Sequence, residues 1–156
     1  MTNTILFPGS FDPFTRGHAD LVARALRQFD RIIIGIGYNE QKCGMIPVEE
    51  RVSALRALYA NETRISVQAY TGLTTDFATE CGATAILRGV RSTKDYEYEL
   101  SMADVNNRLA PQVETIVLLA RPELACCSSS VVRELLHFGH DVSQWLPDGL
   151  YYPTIK

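Results

Sequence analysis

Cysteine, histidine and tryptophan are scarce here: four, three and one among 156 residues. Cys43, Cys81, Cys126 and Cys127 contain no Cys-x-x-Cys pair, and the one close pair is adjacent. That excludes a disulfide framework and a zinc site, and reads as reduced thiols in a cytoplasmic protein. No apolar run approaches the roughly 18 residues needed to cross a bilayer. Pro8, Asp12 and Pro13 interrupt the N-terminal stretch before it could form the apolar segment of a signal peptide, so no membrane association is expected. Excess positive charge is also missing. The net charge is −3, which argues against a general affinity for nucleic acid, so any anion site must come from a few locally focused Lys and Arg side chains. Two common nucleotide motifs are lacking as well. Gly35-Ile36-Gly37 has no third glycine at dinucleotide spacing, and nothing matches a P-loop. No serine sits in a nucleophile elbow. Hydride transfer, P-loop ATPase chemistry and acyl transfer are therefore poorly supported.

What is present is an ordinary globular composition, 46% hydrophobic and 21% charged, at a length that suits a single domain over residues 1–156. Short β-rich runs alternate with helical patterns. Strands are expected at Thr4–Phe7, Arg31–Tyr38, Ile65–Ala69, Ala83–Leu87 and Val113–Leu119, most of them nearly continuous apolar runs of the kind buried on both faces of a parallel sheet. The first helix opens at Gly17 or His18 and groups Leu21, Val22, Ala25, Leu26 and Phe29 on one face. The second opens at Pro47 with Glu49 and Glu50 in its first turn. A short third covers Thr74–Cys81 and stops at Gly82. A longer fourth spans Thr93–Leu109 and ends before Pro111. The last opens in Ser128-Ser129-Ser130 and runs to Gly139. Such β-α alternation predicts an α/β fold: a parallel five-stranded sheet with helices on both faces, joined by right-handed crossovers.

Ligands of such sheets bind beyond the carboxyl ends of the strands, near a switch in strand order. The segments that follow the five strands are Pro8–His18, Asn39–Lys42, Tyr70–Thr75, Arg88–Arg91 and Glu123–Ser130, and they hold nearly every residue suited to phosphate chemistry. Gly17 immediately before His18 at a helix start would let a phosphate approach the backbone, facing an imidazole and free N–H groups. The same helix end disfavours a protonated imidazole, so His18 is expected to stabilise developing charge rather than act as a base. Arg88 and Arg91 flank Gly89-Val90 and could fork onto two phosphates or one polyphosphate. Lys42 lies in a polar loop beyond the second strand. One serine suffices for an N-cap. Three add hydroxyl donors where free amides already attract an anion. His137, His140 and Trp145 read as surface or local packing.

Phe7-Pro8-Gly9-Ser10-Phe11-Asp12-Pro13, Thr15-x-Gly17-His18, Ile86-Leu87-Arg88-Gly89-Val90-Arg91 and Ser128-Ser129-Ser130-x-x-Arg133 together resemble the bacterial phosphopantetheine adenylyltransferase family. The Gly-His element by itself marks only the wider nucleotidyltransferase superfamily. Arg-Gly-x-Arg followed by Asp95-Tyr96-Glu97-Tyr98-Glu99 narrows the match, which runs from about Thr4 to Pro147. The resemblance implies a Rossmann-like sheet and reversible transfer of AMP from ATP to 4′-phosphopantetheine, yielding dephospho-CoA and pyrophosphate. It also implies Mg²⁺, a cytoplasmic role in CoA biosynthesis and a homohexamer. By position, Ser10, Lys42, Thr74 and Arg88 would contact phosphopantetheine. ATP would meet Ser10, Phe11, His18, Gly89, Val90, Arg91 and Glu99, together with Leu124, Ala125, Cys126, Cys127, Ser128, Ser129 and Ser130. His18, Lys42 and Arg91 would carry the catalysis, with no protein ligand set for the metal. The chain departs from the family pattern at Ser10, commonly Thr, at Thr74, often apolar, at Leu124, frequently aromatic, and in a shorter tail after Leu146.

No general base is evident or needed, because a phosphomonoester with a second pKa of about 6 is already largely dianionic at neutral pH. The residues alone leave two alternatives open. One is a nucleotidyltransferase making a cytidylyl or nicotinamide dinucleotide product. The other is a non-catalytic nucleotide sensor on the same scaffold.

Overall fold

The computed structural model describes residues 1–155. Five parallel strands, β1 (Thr4–Gly9), β2 (Arg31–Gly37), β3 (Ile65–Tyr70), β4 (Ala85–Val90) and β5 (Glu114–Leu119), line up in the order β3-β2-β1-β4-β5. The helices are α1 (Arg16–Ala25), α2 (Val48–Leu58), α3 (Thr74–Glu80), α4 (Thr93–Leu109) and α5 (Ser129–His137), with 3-10 turns at Pro122–Leu124 and Ser143–Trp145. The first three strands step outward in one direction. The chain then returns to lay β4 on the other side of β1, so the switch in strand order falls between the carboxyl ends of β1 and β4.

The two faces of the sheet bury alternate residues of the same strands. Ile5, Phe7, Ile32, Ile34, Ile36, Ala85 and Leu87 pack with Leu21, Val22 and Ala25 of α1 and Leu55 of α2. Leu6, Ile33 and Ile86 face the other way, onto Phe77 and Ala78 of α3 and the Ala110–Val113 turn. The expected helices all form, and the parallel sheet follows from them.

Several boundaries differ from the expectation. β1 runs on through Pro8-Gly9, which pair in register with Gly35 and Ile36, and β4 begins at Ala85 and continues through Arg88-Gly89-Val90, paired with Val117, Leu118 and Leu119. The ladder of the neighbouring strand carries these residues in β geometry although their composition reads as loop. Arg88 is thus a strand residue, paired with Val117 of β5. β3 and β5 are the sheet edges and are only half-buried, so both-face burial holds for the three inner strands alone.

Of the stretch from Pro147 onward, for which the sequence supports no assignment, residues 147–155 form neither helix nor strand but are tied down. Tyr152 is 2% exposed and packs against Ile46 and Ala54, and Thr154 hydrogen-bonds Glu50 of α2 through both its N–H and its hydroxyl.

Candidate active site

A cleft of about 350 Å³ opens at the switch between β1 and β4. Its walls come from the end of β1, the start of α1, the end of β4, two residues of α4 and the segment entering α5.

His18 stands at its centre, and the local sequence fixes its chemistry. Thr15 is the N-cap of α1; its hydroxyl accepts from the His18 N–H at 3.4 Å and donates to the Cys127 carbonyl at 2.9 Å. The Thr15 N–H donates to Nδ1 of His18 at 3.0 Å. Nδ1 is therefore a lone-pair acceptor, and the neutral ring must carry its proton on Nε2. Phe11, Phe14 and Phe7 surround the imidazole with ring centroids 5.0, 5.3 and 6.0 Å away. Burial, reinforced by the nearby Arg91 and Arg88 charges, lowers the His18 pKa from 6.5 to about 4. The ring is a permanent Nε2–H donor at neutral pH.

Gly17 has a structural reason of its own. A Cβ there would lie 3.1 Å from the Cys127 carbonyl oxygen, closer than neighbouring backbone comfortably allows. The glycine lets the start of α1 press against the segment leading into α5. The two helix N-termini therefore open onto one cleft. Among the described residues, neither the Gly17 N–H nor the Ser129 and Ser130 N–H groups bond to protein backbone, which leaves them free for an anion.

The serine run divides its labour. Ser128 caps α5, accepting from the Val131 N–H at 3.2 Å. The Ser129 hydroxyl donates to the Pro13 carbonyl at 2.7 Å, so it braces the β1–α1 loop and its side chain can only accept from elsewhere. Arg133 supports the same loop by donating to the Asp12 carbonyl at 2.9 Å.

Arg88 and Arg91 both reach the cleft. Arg88 is held by a bidentate pair with Glu99 of α4, at 2.9 and 2.8 Å, and donates to the Pro8 carbonyl at 3.2 Å. Three of its five N–H groups are used, leaving two for a ligand. Glu99 is 6% exposed and is the one buried residue of α4. Its immediate contact is thus Arg88, and it aims that guanidinium at the cleft. Arg91 commits only Nε, to Asp95 at 3.1 Å. Burial would raise the Asp95 carboxyl, but hydrogen bonds from the Arg91 N–H and Nε and the Arg91 charge outweigh it and hold the carboxyl below the usual range.

A second cavity of about 390 Å³ adjoins the first at Ser10, which lines both. Lys42, Tyr38, Asn39 and Tyr70 are among its walls. The Tyr70 hydroxyl bonds Thr74 Oγ1 at 2.8 Å, so Thr74 reaches this cavity through the tyrosine rather than by lining it.

The structure thus gathers Ser10, Phe11, His18, Arg88, Gly89, Arg91, Glu99, Leu124, Cys127, Ser128, Ser129 and Ser130 around the first cleft, with Lys42 next door. Val90, Ala125 and Cys126 line neither cavity; Val90 is buried in the sheet and Cys126 is exposed.

Sequence reasoning missed two buried charged residues that hold the cavities together. Asp12, 7% exposed, accepts from the Met45 and Ile46 N–H groups, both at 2.8 Å. Arg51 of α2 donates to the carbonyls of Ser10 and Ile46, at 2.6 and 2.9 Å. Together they rivet the Lys42-bearing loop to the loop that carries Ser10. A Pro-flanked Asp and an Arg on the inner side of a helix were the signals present, but neither says which distant backbone it reaches.

Residues 6–135 match the family model described as cytidylyltransferase-like. The chain is 51% identical to a Bacteroides thetaiotaomicron phosphopantetheine adenylyltransferase over 145 residues, 93% of this chain and 95% of the relative. It is 44% identical to the Levilactobacillus brevis phosphopantetheine adenylyltransferase over 142 residues, covering 91% of this chain and 88% of that one. Among solved structures, a Vibrio parahaemolyticus protein described as a candidate nicotinate-nucleotide adenylyltransferase superposes with TM-score 0.70 at 15% identity, covering 99% of this chain and 90% of the other. A bifunctional NMN adenylyltransferase/ADP ribose pyrophosphatase from Francisella tularensis gives 0.69 at 16% identity, covering 94% and 45%. At those identities the structural likeness speaks for the fold alone. The sequence likeness goes further: this chain belongs to the cytidylyltransferase-like nucleotidyltransferases and, within them, to the phosphopantetheine adenylyltransferase family.

Proposed function

We propose that this chain transfers the adenylyl group of ATP to 4′-phosphopantetheine, giving dephospho-CoA and pyrophosphate, a step of CoA biosynthesis. The observation that carries the reading is the neutral Nε2–H imidazole of His18, set between two arginines and two open helix N-termini in one cleft.

The chemistry asks for alignment and charge cancellation. An oxygen of the acceptor phosphate bonds to the α-phosphorus of ATP, the bond from that phosphorus to the α-β bridging oxygen breaks, and pyrophosphate leaves with the electron pair. No proton has to be removed from the dianionic acceptor. The attacking and leaving groups repel one another, so cations and N–H dipoles must hold both. The two free arms of Arg88, together with Lys42 across Ser10, are suited to the acceptor phosphate. His18 Nε2–H is suited to the non-bridging oxygens of the α-phosphate, where it needs no proton uptake to donate. Arg91 and the amides opening α5 are suited to the departing phosphates.

Mg²⁺ fits this donor set as a cation that travels with the triphosphate. Among the described residues no cluster of three or more His, Cys, Asp or Glu forms a protein cage, and Asp95 is the cleft carboxylate beside Arg91 that could add a ligand. When bound, it would supply further neutralisation of phosphate charge.

Tyr98, Met102, Val105 and Leu109 share one face of α4 and are all exposed, an apolar surface that supports assembly into the homohexamer the family resemblance implies. No helix among the described residues is long and apolar enough to cross a membrane.

The test is pyrophosphate release from ATP and Mg²⁺ with 4′-phosphopantetheine, run beside nicotinamide mononucleotide, nicotinate mononucleotide and a no-acceptor control. Turnover is expected with 4′-phosphopantetheine alone. Preference for a mononucleotide would replace the substrate assignment, and ATP binding without turnover of any acceptor would favour a sensor.

A further inference from the structure

The β1–α1 loop hangs on one peptide unit that is held from both ends. The carbonyl of Pro13 accepts from the Ser129 hydroxyl at 2.7 Å, and the N–H of Phe14, the other end of the same peptide, donates to the Tyr152 hydroxyl at 3.2 Å across 138 residues. The next N–H along the chain, that of Thr15, orients the His18 ring. The Phe14 side chain packs on that ring at 5.3 Å.

We infer that Tyr152, in the segment with neither helix nor strand, is a positioning residue for His18: its hydroxyl fixes the Pro13–Phe14 peptide and thereby the imidazole that faces the cleft. The Tyr152 ring is buried against Ile46 and Ala54, and among the described residues its oxygen has this one hydrogen-bond partner. Removing only that oxygen would leave a buried N–H unpaired, which the loop would relieve by rotating the peptide. Such a rotation would swing the Thr15 N–H off Nδ1, leaving beside it, among the described residues, only the Thr15 hydroxyl at 3.2 Å, whose own proton goes to the Cys127 carbonyl. The same ring also touches Ile46, whose N–H is held by Asp12, so the tail braces the two loops that meet at Ser10.

The inference rests on the adenylyl-transfer reading for its kinetic arm only, and Tyr152→Phe tests it. The ring and its packing remain, so the fold should persist. Expected are a fall in kcat of about 10-fold, short of the about 100-fold that a full 1 Å misplacement can cost, and KM values for ATP and acceptor within about two-fold. The deciding readout is the ¹⁵N spectrum of His18. The wild type should show one neutral tautomer with the proton on Nε2, and Tyr152→Phe should show a mixture of tautomers. Thr154→Ala, which removes the hydroxyl's bond to Glu50 and leaves the N–H bond in place, should leave both readouts at wild-type values. An unchanged His18 spectrum in Tyr152→Phe overturns the inference whatever happens to kcat, as does an unchanged kcat. In the unmodified protein the Phe14 amide should exchange slowly with solvent deuterium, and exchange at the rate of an open loop amide would also overturn it. If the wild type turned over no acceptor, the substrate reading would fail while the spectrum still decided the positioning role.

Discussion

Thr15 makes three hydrogen bonds that together define His18: its N–H goes to Nδ1 of the ring, its hydroxyl accepts the His18 N–H, and the same hydroxyl donates to the Cys127 carbonyl. One residue thus caps α1, selects the tautomer and staples the helix start to the segment that opens α5. Replacing it with Val keeps the shape and removes the hydroxyl. Thr15→Val should lower stability by about 1–2 kcal/mol, as lost N-caps do. It should also reduce kcat, and Thr15→Ser should restore most of both. Urea unfolding and steady-state kinetics of the two variants check this; a Ser variant as impaired as the Val variant would show that the methyl, not the hydroxyl, matters.

The lowered His18 pKa has a defined consequence for stability. Between 6.5 and about 4 the unfolded chain takes up a proton at this position and the folded chain does not. The folded state should therefore lose stability as pH falls through that window, and pH above it should have no effect through this group. Urea midpoints from pH 7.5 to 4.5 should drop less steeply in His18→Gln than in the wild type. Parallel curves for the two proteins would contradict the assignment.

The same residue carries the largest kinetic expectation. Removing a donor that acts in the transition state costs about 100- to 1,000-fold in kcat. His18→Ala should show that loss with the affinity for ATP little changed. If kcat survives within a few-fold, His18 does not do what the cleft suggests.

Glu99 is expected to act through Arg88. Glu99→Gln keeps a hydrogen-bonding acceptor but removes the charge that balances the guanidinium, and its loss of stability should stay below the about 3–5 kcal/mol of a fully buried broken pair, because Arg88 is partly solvated. Kinetically, the KM for 4′-phosphopantetheine should change more than the KM for ATP. Equal effects on the two substrates would place Glu99 elsewhere in the reaction.

Asp12→Ala strands the N–H groups of Met45 and Ile46, each an unpaired donor costing about 1–3 kcal/mol. The melting temperature should fall. Because the loop so released carries Lys42, the acceptor KM should rise as well. A variant with wild-type melting and kinetics would remove Asp12 from the account.

Much of the fold was legible because burial leaves a periodic trace. The apolar runs of β1 and β2, the face Leu21-Val22-Ala25 of α1 and the cap signals at Ser128 and Gly82 each report their own local environment. Arg88-Gly89-Val90 misled because its strand geometry is imposed by pairing with β5, a partner 29 residues away in register. The resemblance pointed to Glu99, but its pairing with Arg88 was not legible, since a glutamate on a mostly exposed helix looks solvated until a guanidinium from another element is brought against it.

From the chain alone came the alternation of elements, the phosphate-facing residue types and the family to which they point, because motif chemistry and hydrophobic period are properties of neighbouring residues. Only folding in three dimensions decided that His18 is neutral with its proton on Nε2, that Ser129 spends its hydroxyl on Pro13, and that Tyr152 braces the loop beneath the imidazole. Those outcomes depend on desolvation and on hydrogen bonds between residues as much as 138 positions apart, and no local pattern encodes which distant partner a buried polar group will find.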